Sequence, residues 1–179
     1  MKKILSIITL TGLLFSNNIS GVAYFEFEDS FSLSRTYFTY KSEISDELSF
    51  KFQTDVGEID DAITSDNNLD VDNDNRWMGF LKKAQLDWKV DSDTKISMGM
   101  IGMNMLNIQE KTWGHRFMYK SAMDLYKFSA TADLGFAISR KHGNLTGTFM
   151  ISNGEGYKES NVDDNNKTSA QLAWGETKL

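Results

Sequence analysis

A chain of 179 residues, 40% hydrophobic and 12% aromatic, has the length of one domain with a buried core and is too apolar for bulk disorder. It has no cysteine, which excludes disulfides and thiolate metal sites, and no proline, which suits long ladders because proline removes a ladder donor. A net charge of −6 lacks the basic footprint of nucleic-acid binders, so no nucleic-acid partner is expected.

Met1 to Phe15 reads as a secretory leader, with Lys2 and Lys3 as its basic end and Ile4 to Phe15 as its apolar run. That run is too short to span a bilayer as a helix; a buried core helix is the alternative reading. Cleavage after Ser16 is preferred to cleavage after Ala23, in Gly21-Val22-Ala23, because the later cut severs the first strand. Residues 1–16 are then the signal peptide and residues 17–179 the mature domain. Without cysteine there is no lipid anchor of the lipoprotein kind, and no other segment is apolar enough for a spanning helix. Any membrane role therefore falls to strands.

Strand one is expected from about Ile19 to Phe27, followed by a tight Asp29-Ser30 connection. Strand two, about Phe31 to Glu43, changes parity between Phe31/Leu33 and Phe38/Tyr40, which a bulge near Arg35 reconciles, since one extra residue flips the facing. Strand three carries the clearest pattern. Leu48, Phe50, Phe52, Thr54 and Val56 alternate strictly with Ser49, Lys51, Gln53 and Asp55, which is the period of a strand and not of a helix. About nine to eleven residues is also what a tilted strand needs to cross a membrane.

Gly57 to Asn75 is a polar loop with seven acidic residues. Strand four, about Gly79 to Val90, sets Ala84, Leu86 and Trp88 against Lys83, Gln85, Asp87 and Lys89. Asp91 to Thr94 turns into strand five, Lys95 to about Ile101. A long connection, Gly102 to Lys127, leads to strand six, about Ser129 to Lys141. His142-Gly143 turns into strand seven with Leu145, Phe149 and Ile151 on one face. Asn153 to Lys167 is a second polar loop, and strand eight carries Ala170, Leu172 and Trp174.

Connections after strands two, four and six are short, and those after three, five and seven are long and polar. Outer-membrane barrels show that asymmetry, with tight periplasmic turns and longer outer loops. A soluble lipocalin-like barrel is the alternative, but it has no physical need for it. The fold class expected is therefore all-β: an antiparallel up-and-down transmembrane β-barrel. Phe50, Phe52, Leu86, Trp88, Met98, Leu134, Phe136 and Phe149 should face lipid. Lys51, Gln53, Lys83, Gln85, Asp87 and Lys89 should face the lumen. Tyr24, Tyr40, Trp88 and Trp174, near strand ends, fit interfacial girdles, with ordinary strand packing as the other reading.

Catalysis draws no support: no G-x-S-x-G elbow marks a nucleophile, and His115 and His142 have no ligand spacing. Neither an enzyme nor a cofactor or metal is expected. The run Asp70, Asp72, Asp74 lacks the glycine and final acid of an EF-hand, where Asn75 and Leu81 stand instead, and reads as a solvated acidic loop, with a loose cation site at the outer surface as the alternative. The segment from Gly102 to Lys127 differs from the rest. Its aromatics give it reason to pack against a wall, and Lys111, Arg116, Lys120 and Lys127 face only Glu110 and Asp124. Folded inward, Lys111, Arg116 and Lys120 would line a constriction and attract anions. Folded over the mouth, the same charges would be salt-bridged.

Three stretches carry a family resemblance: Ser34-Arg-Thr-Tyr-Phe-Thr-Tyr40 followed by Leu48 to Asp55, Leu81-Lys-Lys-Ala-Gln-Leu-Asp-Trp88, and Met98-Gly-Met-Ile-Gly102 with the returning Asp133-Leu134-Gly135. On these residues the chain resembles bacterial outer-membrane porins of the phosphate-selective porin O and P type. The resemblance implies a homotrimer of barrels with roughly sixteen strands, set in outer-membrane lipid and passing small ions or solutes, with phosphate or other anions preferred. The family's ladder of arginine and lysine is not visible strand by strand. Eight strands and no terminal aromatic strand make the chain read as the front part of such a barrel. A small non-conducting structural or adhesive eight-stranded barrel is the alternative, and a barrel-embedded lipid hydrolase a distant third.

Overall fold

The structure, a computed structural model, describes residues 18–27, 29, 31–58, 77–116, 118–159 and 163–175. The leader and the acidic run containing Asp70, Asp72 and Asp74 lie outside the described residues. The strands are β1 (Ile19–Phe27), β2 (Phe31–Glu43), β3 (Leu48–Glu58) and β4 (Trp77–Lys89), then β5 (Thr94–Gly102), β6 (Ala132–His142), β7 (Leu145–Ser152) and β8 (Lys167–Trp174). All eight form one antiparallel sheet in sequence order. Among the described residues β1 pairs only with β2 and β8 only with β7, so the sheet is open. No helix among the described residues is long and apolar enough to cross a membrane.

Register turns the alternation along each strand into rows across the sheet. One row runs Phe50, Leu86, Met98, Phe136, Ile151. The next runs Leu48, Trp88, Ile96, Ile138, Phe149, Ala170. Between them lies a row of opposite facing, Ser49, Asp87, Ser97, Ala137, Met150, Ser169. The eight large apolar residues named from the sequence thus share one face, and Lys51, Gln53, Lys83, Gln85 and Asp87 share the other. The sheet is inside-out relative to a soluble sandwich. Ser97, Ser139, Thr146 and Ser152 are buried, while Trp88, Met98, Leu134, Phe136, Ile138, Phe149 and Ile151 are exposed.

Two irregularities adjust this pattern. Tyr24 pairs with Arg35 but Phe25 pairs with Leu33, so Ser34 is a bulge one position from Arg35. That extra residue lets Phe31 and Leu33 share a face with Phe38 and Tyr40. In β4, Gln53 pairs with Lys83 but Thr54 with Leu81, which leaves Lys82 as a second bulge. Of the girdle aromatics, Tyr40, Trp88 and Trp174 are exposed on the apolar face. Tyr24 is not; it sits edge-on to Tyr37, ring centroids 6.4 Å apart, because its register partner Arg35 points to the polar side.

The β4–β5 turn shows how the short connections are fixed. The Asp91 carboxylate accepts the backbone N–H groups of Asp93 and Thr94, both at 2.8 Å. These bonds, the Asp93 amide first, hold the Asp91 carboxyl below the ordinary aspartate value. A depressed carboxyl stabilises the fold above its unfolded pKa, and that contribution is lost as pH falls through the folded value. The protection of the Asp93 and Thr94 amides, relative to their intrinsic exchange rates, is therefore expected to be high at neutral pH and lower in acid, and low at both in Asp91→Ala. Equal protection in the variant would show that the ladder alone holds the turn.

Candidate functional site

The segment from Met103 to Thr131, read from sequence as a connection, contains helix α1 (Asn104–Trp113) and a single turn α2 (Ala122–Leu125). Gly114 ends α1 with φ 64°, its N–H bonded to the Glu110 carbonyl, the left-handed cap that glycine adopts without cost. The segment lies against the polar face. Met103 joins Ile101, Ala137 and Met150 in a small buried cluster, and Leu106 is buried one turn on. Asn104 is anchored to β8, accepting Ser169 Oγ at 2.8 Å on its side chain and Gln171 Nε2 at 2.7 Å on its carbonyl. Gln109 Oε1 accepts the Met123 N–H at 3.3 Å, which ties α2 to α1.

Between this segment and the wall of β2–β4 lies a cavity of about 240 Å³. Five basic side chains line it, Arg35, Lys51, Lys82, Lys83 and Arg116, against two acidic ones, Glu110 and Asp124. The bulge in β4 is the reason two consecutive lysines reach one cavity, since regular alternation would send one of them to the apolar face. Lys83 extends to the root of α1, where a methyl group added at Gly102 would stand 2.6 Å from its Nζ.

Two of the cations are ion-paired: Arg35 with Asp55 at 3.2 Å and Arg116 with Asp124 at 3.5 Å. Among the described residues Lys51, Lys82 and Lys83 have no ion pair. Lys82 donates to Tyr37 Oη at 3.2 Å and lies 4.4 Å from the centroid of that ring. Arg35 Nη1 donates to the same hydroxyl at 2.9 Å. Asp55, 1% exposed, also accepts the Tyr157 hydroxyl, which arrives from the β7–β8 loop. Gly156, at φ +98° and packed so that a Cβ would lie 2.3 Å from that of Ala130, lets the chain turn there. The Tyr157 N–H bonds the Ala132 carbonyl at 3.0 Å. Burial, then the bond to Asp55, pushes the Tyr157 phenol far above its ordinary range, so it stays a donor.

Tyr157→Phe removes a hydrogen bond to a buried carboxylate, worth about 1.5–3 kcal/mol. The expected result is faster amide exchange at Tyr157 by about tenfold or more, since 1.36 kcal/mol is a factor of ten. Unchanged exchange would mean that backbone contacts alone dock the loop.

Of the residues singled out from the sequence, Lys51, Lys83 and Arg116 line the cavity. Gln85 stands beside it, donating to Asp87 at 2.9 Å and accepting the Gly102 N–H at 3.4 Å. Lys89 is exposed at the end of β4, opposite Lys95 and beyond the cavity. Lys111 and Lys120 are exposed and outside the lining. The sequence reading missed Arg35, Lys82, Asp55 and Tyr157 as members of one network. The break of alternation at Leu81-Lys82-Lys83-Ala84 was the available signal for Lys82. His115 meets the edge of Trp113 at 5.5 Å, and His142 is exposed at the end of β6. Among the described residues no three His, Asp or Glu side chains are grouped to hold a metal ion.

The arrangement is suited to attracting and passing an anion without bonding to it covalently. Three ammonium groups lack a paired carboxylate, at a surface where solvent is restricted and each charge counts for more than in open water. Compared with family models, curated proteins and solved structures, the chain matches none.

Proposed function

We propose that this sheet is wall of an outer-membrane β-barrel channel of a Gram-negative bacterium, exported by its leader, through which small hydrophilic solutes diffuse passively with a preference for anions. The inverted facing is the observation that carries the reading. A continuous apolar surface of Phe, Leu, Met, Ile and Trp on one side, with Lys, Gln, Asp and Ser on the other, suits lipid outside and water inside. The basic cavity under the Met103–Thr131 segment is the proposed constriction, with phosphate among the anions it would favour. The likeness to porins of the phosphate-selective O and P type extends the proposal to a trimer of larger barrels, in which β1 and β8 meet further strands.

The test is reconstitution of the complete protein in planar bilayers under a salt gradient. Stepwise conductance with a zero-current potential of the sign set by anions supports the proposal. Inserted protein without conductance would overturn it in favour of a second reading, a non-conducting eight-stranded barrel. The bond from Tyr157 to Asp55 favours that alternative to some extent, because two covering segments then cross the polar face.

A further inference from the structure

The apolar face holds an exposed cation. Arg140 follows Leu134, Phe136 and Ile138 on the exposed side of β6, and among the described residues it makes no hydrogen bond or ion pair. It lines a groove of about 440 Å³ together with Ile138, Gly147, Phe149, Ala170 and Leu172. Gly147 and Ala170 form a shallow floor, and the larger side chains form the walls. Register fixes the level of the guanidinium. Its row, Thr94, Arg140, Gly147, Leu172, lies between the row of Trp88 and the row joining His142, Leu145 and Trp174. Tryptophans in barrels mark the level of lipid head groups. An arginine in the same band, at the end of an apolar groove, presents its guanidinium with no direct ion pair among the described residues and the Asp91 carboxylate of the β4–β5 turn as a longer-range counter-charge.

We propose that this groove is a binding site for one glycerophospholipid, with an acyl chain along Gly147 and Ala170 and the head-group phosphate on Arg140. The site rests on the membrane reading above. Guanidinium matches phosphate geometrically with two parallel N–H donors. The groove supplies the apolar half of the ligand, which a free phosphate ion would leave empty. A second copy of the chain seated on this face, whose short turns carry Asp46, Glu47, Asp91 and Asp93, is the competing occupant.

The test uses the complete protein, extracted in mild detergent and studied by native mass spectrometry with phosphatidylglycerol and with diacylglycerol of the same acyl chains. Phosphatidylglycerol is expected to be held about fivefold more tightly, the effect of one basic residue at an anionic lipid surface. Arg140→Gln should erase that preference without altering planar-bilayer conductance, and Gly147→Leu should weaken both lipids by filling the floor. Ala170→Leu is the second filling variant should the first not fold. Equal retention of the two lipids, or an unchanged preference in Arg140→Gln, would overturn the site while leaving the channel reading intact. A variant that changes the number of chains per particle and not the bound lipid would assign the groove to a protein contact. Failure of the complete protein to enter vesicles would remove the membrane reading and the site together. Inserted but non-conducting protein that keeps the lipid preference would leave the site standing alone.

Discussion

Replacing Lys51, Lys82 and Lys83 together by glutamate is expected to reverse the sign of the zero-current potential of the complete channel under a salt gradient. These three are the cations of the cavity without an ion pair, opposed only at longer range, Lys83 by Glu110 and Asp87 and Lys51 by Asp87. A unit charge 4 Å away is worth about 1 kcal/mol in bulk water and about 4 kcal/mol at the effective dielectric near a protein surface, so position decides which lysines matter. Lys111→Glu with Lys120→Glu makes a smaller charge change on exposed side chains outside the lining, and a small shift is expected. The contrast should narrow at low salt, because exposed charges are screened within about 10 Å at 0.1 M and regain reach when the salt is removed. Arg35 and Arg116 are left in place in this experiment, since each holds a carboxylate whose release would disturb the wall or its cover. An unchanged potential in the triple variant would place the ion path away from this cavity.

Gly99→Ala is expected to prevent the sheet from forming. Gly99 has φ +100°, and a Cβ there would lie 2.2 Å from the Ala84 carbonyl oxygen on the neighbouring strand. The backbone conformation alone costs a non-glycine residue about 1–3 kcal/mol. The clash is with main chain, so relief requires β4 and β5 to separate, which breaks their ladder. Gly79→Ala is the control: nothing lies within 4 Å of its added Cβ, and an effect within about 0.5 kcal/mol is expected. Urea unfolding of both variants in lipid vesicles decides the matter. A folded Gly99→Ala protein with ordinary stability would mean that the strand can shift its register locally.

The strands were legible in the sequence because one face is charged and the other apolar, which makes the period of two unmistakable in Leu48–Val56 and again in Lys83–Trp88. Their ends were less so: β4 begins at Trp77, where Trp77, Met78 and Phe80 do not alternate with polar residues, and β6 begins only at Ala132, after the small residues Ser129, Ala130 and Thr131. The bulge at Ser34 was foreseeable from the parity of the aromatics. The one at Lys82 was harder, because its single trace in the sequence is the short break of alternation at Leu81-Lys82-Lys83-Ala84. Helix α1 was hidden for another reason. Its apolar residues, Met105, Leu106, Ile108 and Trp113, read as a loop that must pack, and only Gly114 hinted at a helix end. Once α1 and its cap fix the path of the segment, Arg116 lines the cavity while Lys111 and Lys120 stay in solvent, a sorting that charge counting cannot make. Tyr157 sits in a stretch of polar residues that reads as solvated, and its partner Asp55 is remote in sequence.

That remoteness bears on the order of assembly. Every ladder joins strands adjacent in the chain, so the wall can grow hairpin by hairpin, each step closing only a modest stretch of polypeptide. Tyr157 and Asp55 are 102 positions apart, with four strands, β4 to β7, between them in the chain, so their bond must wait for that stretch. Asn104 likewise waits for β8 before Ser169 and Gln171 can hold it. A chain halted during biogenesis after β6 would therefore own much of its apolar face but not the anchors that fix the cover of its basic cavity. The cover of the basic cavity is the last to mature.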